Sequence, residues 1–484
     1  MSNAFEGLEP KVMWGWFQQI TQVPRPSKKE EKIIAFMEAW AADHGFEVVK
    51  DEVSNVLVKV PASPGKEGVP AVCLQGHMDM VPEKNEETEF DFETDPINVW
   101  RDGDWLKARG TTLGADNGIG LAMAMAIATD PDVTHGPLEL LFTVDEETGL
   151  TGAMFLKPGF LESRKLINID SEEEGVLFVG CAGGGDSDIV WAKPKSSGSE
   201  KPVLKIKVTG LGGGHSGLNI IENRGNAIKL MTRLLAALSD RADFGLVSID
   251  GGDKHNAISR QCTALITGDG LSVAAVEAVR DEILAAFRQE FTAIEPDAKI
   301  LVTTESTAAL PYWSGEELDQ LLGLILAIPH GVQSICRGDL AGLVETSTNL
   351  ARVRTDSETV EFLTSSRSSV EPALVNLRES IVAVAKLAGA AVTLHESYPA
   401  WQPNMDSSLL AHCKAVHEEV TGKAPDVTII HAGLECGIIG EPYEDMEMIS
   451  FGPTMHGVHS PAERLSISST NNVYKYLKAL ISSM

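Results

Sequence analysis

The apolar positions of the first 170 residues alternate between helical and strand-like spacing. Ser27 and Glu30 have the spacing of a capping box, and apolar residues at helical intervals after them predict an amphipathic helix: Ile33, Ile34, Met37, Trp40 and Ala41. A hairpin is predicted over 46–60. Short apolar runs of the buried-strand type follow, with a helical run at 121–128 among them: 71–74, 138–144 and 166–169. This alternation predicts an α/β domain whose sheet is mostly parallel.

The pattern changes after residue 186 and returns near residue 398. The intervening segment predicts strand–helix sets of an α+β kind, with strands at 203–208, 300–304, 343–353, 359–363 and 391–395 and helices at 227–238, 273–291 and 370–387. Beyond it, helices at 407–420 and 470–481 and strands at 427–430 and 447–451 are predicted. We therefore expect a catalytic domain formed by residues 1–186 and 398–484, interrupted by a lid domain over 187–397. Gly183-Gly184-Gly185 and Tyr398-Pro399 are expected to be its two hinge connections.

Charge and cysteine content exclude several classes of protein. The chain has 484 residues, with 40 Lys+Arg against 69 Asp+Glu and a formal charge of −29. Basic runs never exceed two residues, so neither a nucleic acid nor an anionic membrane surface is an expected partner. No apolar run approaches the roughly 18–20 residues of a membrane span. Six scattered cysteines without a C-x-x-C pair favour a reducing, cytoplasmic compartment, and the opening MSNAFEGLEP does not have the pattern of a secretory signal.

Imidazole and carboxylate groups follow the predicted strands at the points where these strands end. They occur in five short segments: Gly76-His77-Met78-Asp79, Gly114-Ala115-Asp116-Asn117-Gly118, Asp145-Glu146-Glu147, Asn168-Ile169-Asp170-Ser171-Glu172 and Gly457-Val458-His459-Ser460-Pro461. The carboxyl ends of parallel strands meet at one edge of a sheet, where sites form. These side chains are ligands for borderline metals such as Zn²⁺. A solvated surface or a set of helix caps would require five coincidences at one edge, so a metal site is predicted.

Longer motifs resemble the dinuclear-zinc exopeptidases, a family that includes carboxypeptidase G, aminoacylase and the carnosinases. They span nearly the whole chain in consistent order: G-H-M-D-M-V-P, G-T-T-L-G-A-D-N-G-I-G, T-V-D-E-E-T-G, N-I-D-S-E, H-A-G-L-E-C-G and F-G-P-T followed by H-S-P. T-T-L-G-A-D-N-G and H-A-G-L-E-C-G are similar to the branch that cleaves Xaa-His dipeptides. The resemblance implies hydrolysis of unblocked dipeptides, carnosine-like ones included, by a water that the metals activate and a glutamate general base.

The resemblance also implies a role for each motif residue. His77 and Asp170 would bind one metal ion, Glu147 and His459 the other, and Asp116 would bridge both. Asp79 would orient His77, and Glu146 would be the general base. Many relatives have Glu where this chain has Asp170, so Glu172 is the second candidate at that place. Zn²⁺ is the expected metal, and Co²⁺ and Mn²⁺ can use the same ligands.

The substrate contacts are expected from the lid and from the C-terminal segment. By resemblance, His215 in Gly213-Gly214-His215 would stabilise the oxyanion, and Asn256 would be a second lid contact. Arg367 has the chemistry to pair with the free carboxylate of a dipeptide, and Glu435 with its α-ammonium. In single-lid members of the family that this chain resembles, the lid histidine reaches the active site of a neighbouring subunit. The lid predicted here has about 210 residues, twice the usual length, so by resemblance His215, Asn256 and Arg367 are expected to work within one chain. The alternative is a single extended lid that needs a partner subunit.

Three alternatives stay open at the level of the sequence. An N-acyl-amino-acid deacylase of the same clan would use the same metals but would prefer a blocked amine. A non-catalytic metal-binding protein is disfavoured because Asp79 and Glu146 are both present. A serine or cysteine hydrolase is disfavoured further, since G-x-S-x-G does not occur. The motifs do not choose between a monomer and a homodimer.

Overall fold

The computed structural model describes residues 4–198, 200–291, 293–443 and 445–484, so that Met1–Asn3 of the N-terminal segment considered above lie outside it. The chain forms two compact units. The first comprises the chain up to Cys181 together with Trp401–Ile429 and Leu434–Met484. The second comprises Ala182–Ala400 and Ile430–Gly433. The predicted fold class, α/β with an inserted α+β segment, is confirmed.

The first unit is built on a mixed sheet that has eight strands in the described part of the chain. Its four central strands run parallel in the order Leu138–Thr143, Val72–His77, Lys165–Asn168 and Glu447–Ser450. Every residue of the first two of these strands is buried, as their continuous apolar runs predict. Antiparallel strands flank this centre, including the predicted hairpin of Glu47–Lys50 with Val56–Val60.

The remaining elements of the first unit cover and extend this sheet. Its helices are Lys11–Ile20, Glu31–Asp43, Ala115–Thr129, Glu146–Gly149, Thr151–Met154, Ser408–Thr421, Glu435–Gly440 and Ile467–Ser483. The sheet is completed by Val176–Cys181 and Asp426–Ile430, and a smaller sheet contains Val99–Asp102, Trp105–Ala108, Met455–His456 and Arg464–Ser466. Helix Ala115–Thr129 is almost entirely buried, because its small and apolar residues allow it to pack closely on strand Val72–His77.

The second unit contains one long antiparallel sheet. Its strands, in spatial order, are Lys299–Ala308, Lys201–Thr209, Cys262–Thr267, Gly245–Gly251, Val344–Asp356, Thr359–Ser368, Gly183–Ala192 and Ala391–Tyr398, with Gly331–Ile335 beside Val344–Asp356. Its helices are Ala227–Ser239, Val273–Glu290, Glu316–Ala327 and Glu371–Leu387, and short 3₁₀ turns occur at Ile220–Glu222 and Gly338–Leu340. Apolar residues of the sheet and of these helices form one continuous core.

Two local predictions are wrong. Gly183, Gly184 and Gly185 do not form a flexible joint, because they belong to strand Gly183–Ala192 and pair with Thr359–Ser368 on one side. A Cβ atom at Gly184 would lie 2.4 Å from the Tyr398 hydroxyl, so the glycine makes room for that ring. The capping box is also absent.

Helix Glu31–Asp43 begins without a side-chain cap. The carboxylate of Glu30 accepts hydrogen bonds from the Lys28 and Asp145 amides instead, at 2.9 and 3.1 Å. Lys28 has a φ of 68°, which takes the chain out of the geometry that a capping box needs. Glu30 therefore ties the first helices to the Asp145 turn.

Among the described residues, the helices lack the combination of length and apolarity that crossing a membrane requires.

Candidate metal centre

The strand ends bring the predicted ligands to one edge of the first unit's sheet. His77 is the last residue of its strand, Glu146 and Glu147 follow the neighbouring strand on one side, and Asp170 follows the neighbour on the other side. Asp116 lies in the first turn of helix Ala115–Thr129. The carboxyl ends of parallel strands meet at one edge of a sheet, and this is why the strand pattern predicted that these side chains would lie together.

Five of these side chains form two ligand groups that share Asp116. In the first group, His77 Nε2 lies 3.0 Å from Asp116 Oδ1 and 3.3 Å from Asp170 Oδ1. In the second, His459 Nε2 lies 3.1 Å from Asp116 Oδ2 and 2.9 Å from Glu147 Oε2. Within each group the candidate ligand atoms all lie within 4.8 Å of one another. The two oxygens of Asp116 therefore face different imidazoles.

Charge at this centre favours a cation. Burial alone would lower the pKa of His77, but Asp170, Asp116 and Asp79 raise it well above its ordinary value. The pKa of His459 is raised as well, through its hydrogen bonds to Asp116 and Glu147. Both shifts have the same physical origin, which is a concentration of carboxylate charge that is stabilised by positive charge at this position. A divalent cation supplies such charge.

The carboxylates of the centre fit a metal in the same way. Burial is the largest cause that raises the pKa of Asp170, and with the opposing effect of His77 and the repulsion from Asp116 and Glu147 this pKa is about 6. Burial opposes ionisation of Asp116 too, yet hydrogen bonds from His459 and His77 lower its pKa. Glu147 Oε1 is buried without a hydrogen-bond partner among the described residues. Two imidazoles and three carboxylates, one of which has an unpartnered oxygen, form a donor set that suits Zn²⁺.

Asp79 connects this centre to the loop of Glu146. Its Oδ1 lies 3.2 Å from His77 Nδ1 and accepts the Glu146 amide at 3.0 Å, and its Oδ2 accepts the Glu147 amide at 3.3 Å. Burial raises the pKa of Asp79, but His77 and these hydrogen bonds leave it below its ordinary value. Glu146 is half-buried, and burial together with Asp170, Glu147 and Glu435 raises the pKa of its carboxyl group well above the ordinary range, although His77 opposes the shift.

Two further predicted carboxylates differ in their surroundings. Glu435 is completely buried and accepts hydrogen bonds from Gln75 Nε2 at 2.5 Å and from Thr143 Oγ1 at 2.8 Å. Burial raises the pKa of Glu435 to about 7. Glu172 is exposed, and among the described side chains it belongs to neither ligand group.

The predicted lid residues His215 and Asn256 lie in adjacent loops of the second unit. The backbones of His215 and Ala257 pair in an isolated antiparallel β-bridge. The Asn256 carbonyl oxygen accepts a hydrogen bond from the Ser216 amide at 2.8 Å. The Gly217 and Leu218 amides donate to His215 Nδ1 at 3.2 and 3.0 Å. Because Nδ1 accepts these bonds, the proton of the neutral ring resides on Nε2.

Arg367 lies in the same unit with an exposed fraction of only 7%, which excludes a surface arginine. Its Nη1 donates to the Tyr398 hydroxyl at 2.8 Å. His431 is buried nearby, and its Nε2 lies 2.7 Å from Ser347 Oγ. Burial, followed by the positive charge of Arg367, lowers the pKa of His431 to about 3.

Sequence reasoning missed three residues that organise these loops: Glu463, Arg25 and His431. His431 begins the motif that contains Glu435, and Glu463 lies four residues after His459, just beyond the H-S-P motif. Their positions in the sequence were therefore a usable signal. The pattern around Arg25 offers no such signal, since its role depends on burial. Its guanidinium donates to the carbonyl oxygens of Met78 and Asp79 and to that of Gly114.

Known proteins resemble this chain over its full length. Residues 73–483 match the model of "Peptidase family M20/M25/M40". The chain is 38% identical over 478 residues to the cytosol non-specific dipeptidase of Escherichia coli (strain K12), covering 98% of each protein. It resembles the crystal structure of aminoacylhistidine dipeptidase from Vibrio alginolyticus with a TM-score of 0.90 and 36% identity, covering 100% of this chain and 98% of that one.

A more distant structure shares the fold alone. Aminopeptidase PepT from Bacillus cereus ATCC 10987 has a TM-score of 0.57 and 16% identity, with 98% of each chain covered. The extent of the family match and the identity to the Escherichia coli protein show that this chain belongs to peptidase family M20/M25/M40.

Proposed function

We propose that this peptidase is a metal-dependent dipeptidase that hydrolyses unblocked dipeptides. The observation that carries the proposal is the pair of ligand groups sharing Asp116, with Glu146 beside them. The extent of identity to a protein named as a dipeptidase supports the same activity. An enzyme needs both the metal ligands and a base, and the chain has residues suited to each.

His77 and Asp170 would hold one metal ion, Glu147 and His459 a second, and Asp116 both. The donor types suit Zn²⁺, and Co²⁺ or Mn²⁺ can replace it. When bound, such a pair of ions polarises the scissile carbonyl group and lowers the pKa of water. Asp79 would keep the His77 ring in one tautomer, because a carboxylate at Nδ1 leaves Nε2 directed at the centre.

Glu146 would move the protons of the reaction. Its carboxylate takes a proton from the attacking water and delivers it to the amine that leaves. Asp79 supports this role because its two oxygens accept the amides of Glu146 and Glu147 and thus fix the backbone from which both side chains extend. The general base Glu146 and the metal ligand Glu147 are thereby held at a fixed distance and orientation relative to each other.

Substrate recognition is assigned to groups that match the two ends of a dipeptide. Arg367 would bind the free carboxylate through its guanidinium. Glu435 would accept the α-ammonium through Oε1, which is buried and lacks a hydrogen-bond partner among the described residues. His215 would donate from Nε2 to the developing oxyanion, and Asn256 would add a second polar contact. Recognition of both ends explains a preference for dipeptides over longer peptides.

Xaa-His dipeptides are proposed as substrates within a broader range. One relative is named for aminoacylhistidine substrates and the other as non-specific, so the range is an experimental question. A cytoplasmic location is proposed with this activity, since the Escherichia coli relative is named a cytosol enzyme and the six cysteines are free.

The test is hydrolysis of a peptide panel by protein reconstituted with Zn²⁺, Co²⁺ or Mn²⁺. The panel contains β-alanyl-histidine, other Xaa-His and non-His dipeptides, matched tripeptides and N-acetylated dipeptides. Rapid cleavage of free dipeptides, with tripeptides and acetylated forms left intact, supports the proposal. A preference for the acetylated forms would replace it with the deacylase alternative, and inactivity with all three metals would refute a metallopeptidase.

The lid residues are proposed to act on the metal centre of their own chain. Mixing a Glu146→Gln chain with a His215→Ala chain tests this. If hetero-oligomers form and the mixture stays inactive, the proposal stands. Restored activity would mean that His215 serves the partner chain instead.

A further inference from the structure

We propose that Glu463 is a positioning residue that fixes the shared ligand Asp116 relative to His459. This inference rests on the proposed function, since it concerns the assembly of the proposed metal centre. It assigns a role to a residue that lies outside both ligand groups.

The carboxylate of Glu463 accepts main-chain hydrogen bonds from four consecutive residues. Its Oε2 accepts the amides of Leu113 and Gly114 at 2.6 and 3.0 Å. Its Oε1 accepts the amides of Ala115 and Asp116 at 2.7 and 3.4 Å. The side chain is only 2% exposed, so water does not compete for these bonds. One buried carboxylate thus holds the whole segment that carries the shared ligand.

Burial and the nearby Asp116 raise the pKa of Glu463 to about 7, and the amide donors that it accepts oppose this shift by favouring the charged carboxylate. Two of the four amides, those of Ala115 and Asp116, lie at the start of helix Ala115–Thr129, where Asp116 has non-helical backbone angles, and such N–H groups have no partners within the helix. A carboxylate can accept all four N–H groups through charge-assisted hydrogen bonds. An uncharged side chain would satisfy fewer of these donors.

Glu463 also belongs to the loop of His459, four residues away. The Glu463 amide donates to the Ser460 carbonyl oxygen at 3.0 Å, which closes the turn between them. The carboxylate of Glu463 therefore joins the loop of His459 to the segment of Asp116, which lies 347 residues earlier in the sequence. Asp116 and His459 are the two members of the second ligand group that these segments supply.

Arg25 completes the support from the other side of the same segment. Its guanidinium donates to the Gly114 carbonyl oxygen, while Glu463 accepts the Gly114 amide. Gly114 has a φ of 67°, and a Cβ atom there would lie 2.7 Å from Arg25 Nη2. The same guanidinium contacts Met78 and Asp79, next to His77. Small displacements are consequential here, because metal–ligand bonds tolerate only about 0.2 Å.

The experiment compares Glu463→Gln with Glu139→Gln by titrating metal-free protein with Co²⁺ and recording the visible absorption of bound cobalt. Glu139 is a matched control in the same unit: it is buried, and it accepts the amides of Glu162 and Ser163, away from the ligand groups. Gln keeps the size of Glu but offers one acceptor oxygen and an NH₂ group that faces N–H donors. Both variants are expected to unfold at lower temperature than the wild type.

Only Glu463→Gln is expected to bind cobalt more weakly, by about 10–100-fold for the more weakly held equivalent, with an altered absorption band. Equal cobalt binding by Glu463→Gln and wild type, or an equal loss in Glu139→Gln, would overturn the inference and leave the proposed function intact. If wild-type protein bound no cobalt, the proposed metal centre itself would fail, and this inference with it. Loss of folding in Glu463→Gln is checked by circular dichroism, and Glu463→Asp, which keeps the charge, should then show the same selective weakening.

Discussion

Glu146 and Glu147 are adjacent, and Asp79 accepts a hydrogen bond from the amide of each, but we assign different roles to their side chains. The Asp79 carboxylate fixes the backbone of both, but only Glu147 has an oxygen close to His459. Glu146 belongs to a different cluster, with His77 and Glu147, and remains half-buried. At the scale of the residue, we therefore expect substitution of Glu146 to affect turnover rather than metal binding.

Glu146→Gln should lower kcat by about 10²–10⁴-fold, the usual contribution of a positioned general base. The amide keeps the size of the side chain but cannot take up a proton. Metal content measured by atomic emission should equal that of wild type. Glu52→Gln, at an exposed position, is the control and should keep full activity. Near-normal kcat in Glu146→Gln would refute the role of general base.

His431 gives a prediction about pH and stability. Its pKa is lowered to about 3 by burial and by Arg367, whereas in the unfolded chain it is near 6.5. Below pH 6.5 the unfolded chain takes up a proton that the folded chain excludes, so stability is lost as pH falls from 6.5 toward 3. Between pH 7.5 and 5.5 this loss is about 1.4 kcal/mol.

Calorimetric midpoints at pH 7.5 and 5.5 measure the effect. Wild type should lose more thermal stability on acidification than His431→Gln, because glutamine does not titrate. His44→Gln, at an exposed histidine, should lose as much as wild type. If all three proteins lost the same amount, the buried neutral imidazole would be the wrong assignment.

Site residues could be predicted from the sequence where a ligand-type side chain directly follows a predicted strand. His77, Asp170 and Glu147 follow strands that the apolar runs predict, and the structure brings them together at one edge. Glu463 and Arg25 could not be predicted in the same way. Their importance arises from burial against main-chain groups of distant segments, and hydrophobic spacing contains no information on such contacts.

The element scale shows a similar division. Buried parallel strands were predictable from continuous apolar runs, whereas strand Gly183–Ala192 was mistaken for a joint because glycine usually indicates flexibility. The close approach of the Tyr398 ring to Gly184 explains the small residue there. We therefore interpret Gly184 as a residue that packing requires. The competing explanation is that the glycine provides backbone flexibility, and a substitution can distinguish the two.

Gly184→Ala should destabilise the second unit by about 1–3 kcal/mol, as overpacking does. The new methyl group would displace the Tyr398 hydroxyl, which accepts a hydrogen bond from Arg367. Gly323→Ala is the matched control in helix Glu316–Ala327, where no described atom lies within 4 Å of the added Cβ. It should be neutral or stabilising by up to about 1 kcal/mol. Thermal unfolding checks both, and equal effects would argue that Gly184 is there for flexibility.

At the scale of the whole molecule, the interruption of the first unit was predictable because its strand–helix pattern returns after residue 398. The position of Ile430–Gly433 was not. This segment belongs to the second unit, and the Ala182 amide lies within hydrogen-bond distance of the Ile430 and Ala432 carbonyl oxygens. Such main-chain pairing between distant segments has no counterpart in the spacing of side chains.

Metal removal gives a prediction for the two units separately. A ligand that binds only folded protein stabilises it, so chelation should destabilise the unit that carries His77, Asp116, Glu147, Asp170 and His459. Hydrogen exchange measured by mass spectrometry should rise in peptides around these residues and stay constant in strand Lys201–Thr209 and helix Ala227–Ser239 of the second unit. Readdition of Zn²⁺ should restore protection, and Glu146→Gln should respond as wild type does, because it keeps the ligands. A response confined to the second unit, or none, would contradict a metal centre at the edge of the parallel strands.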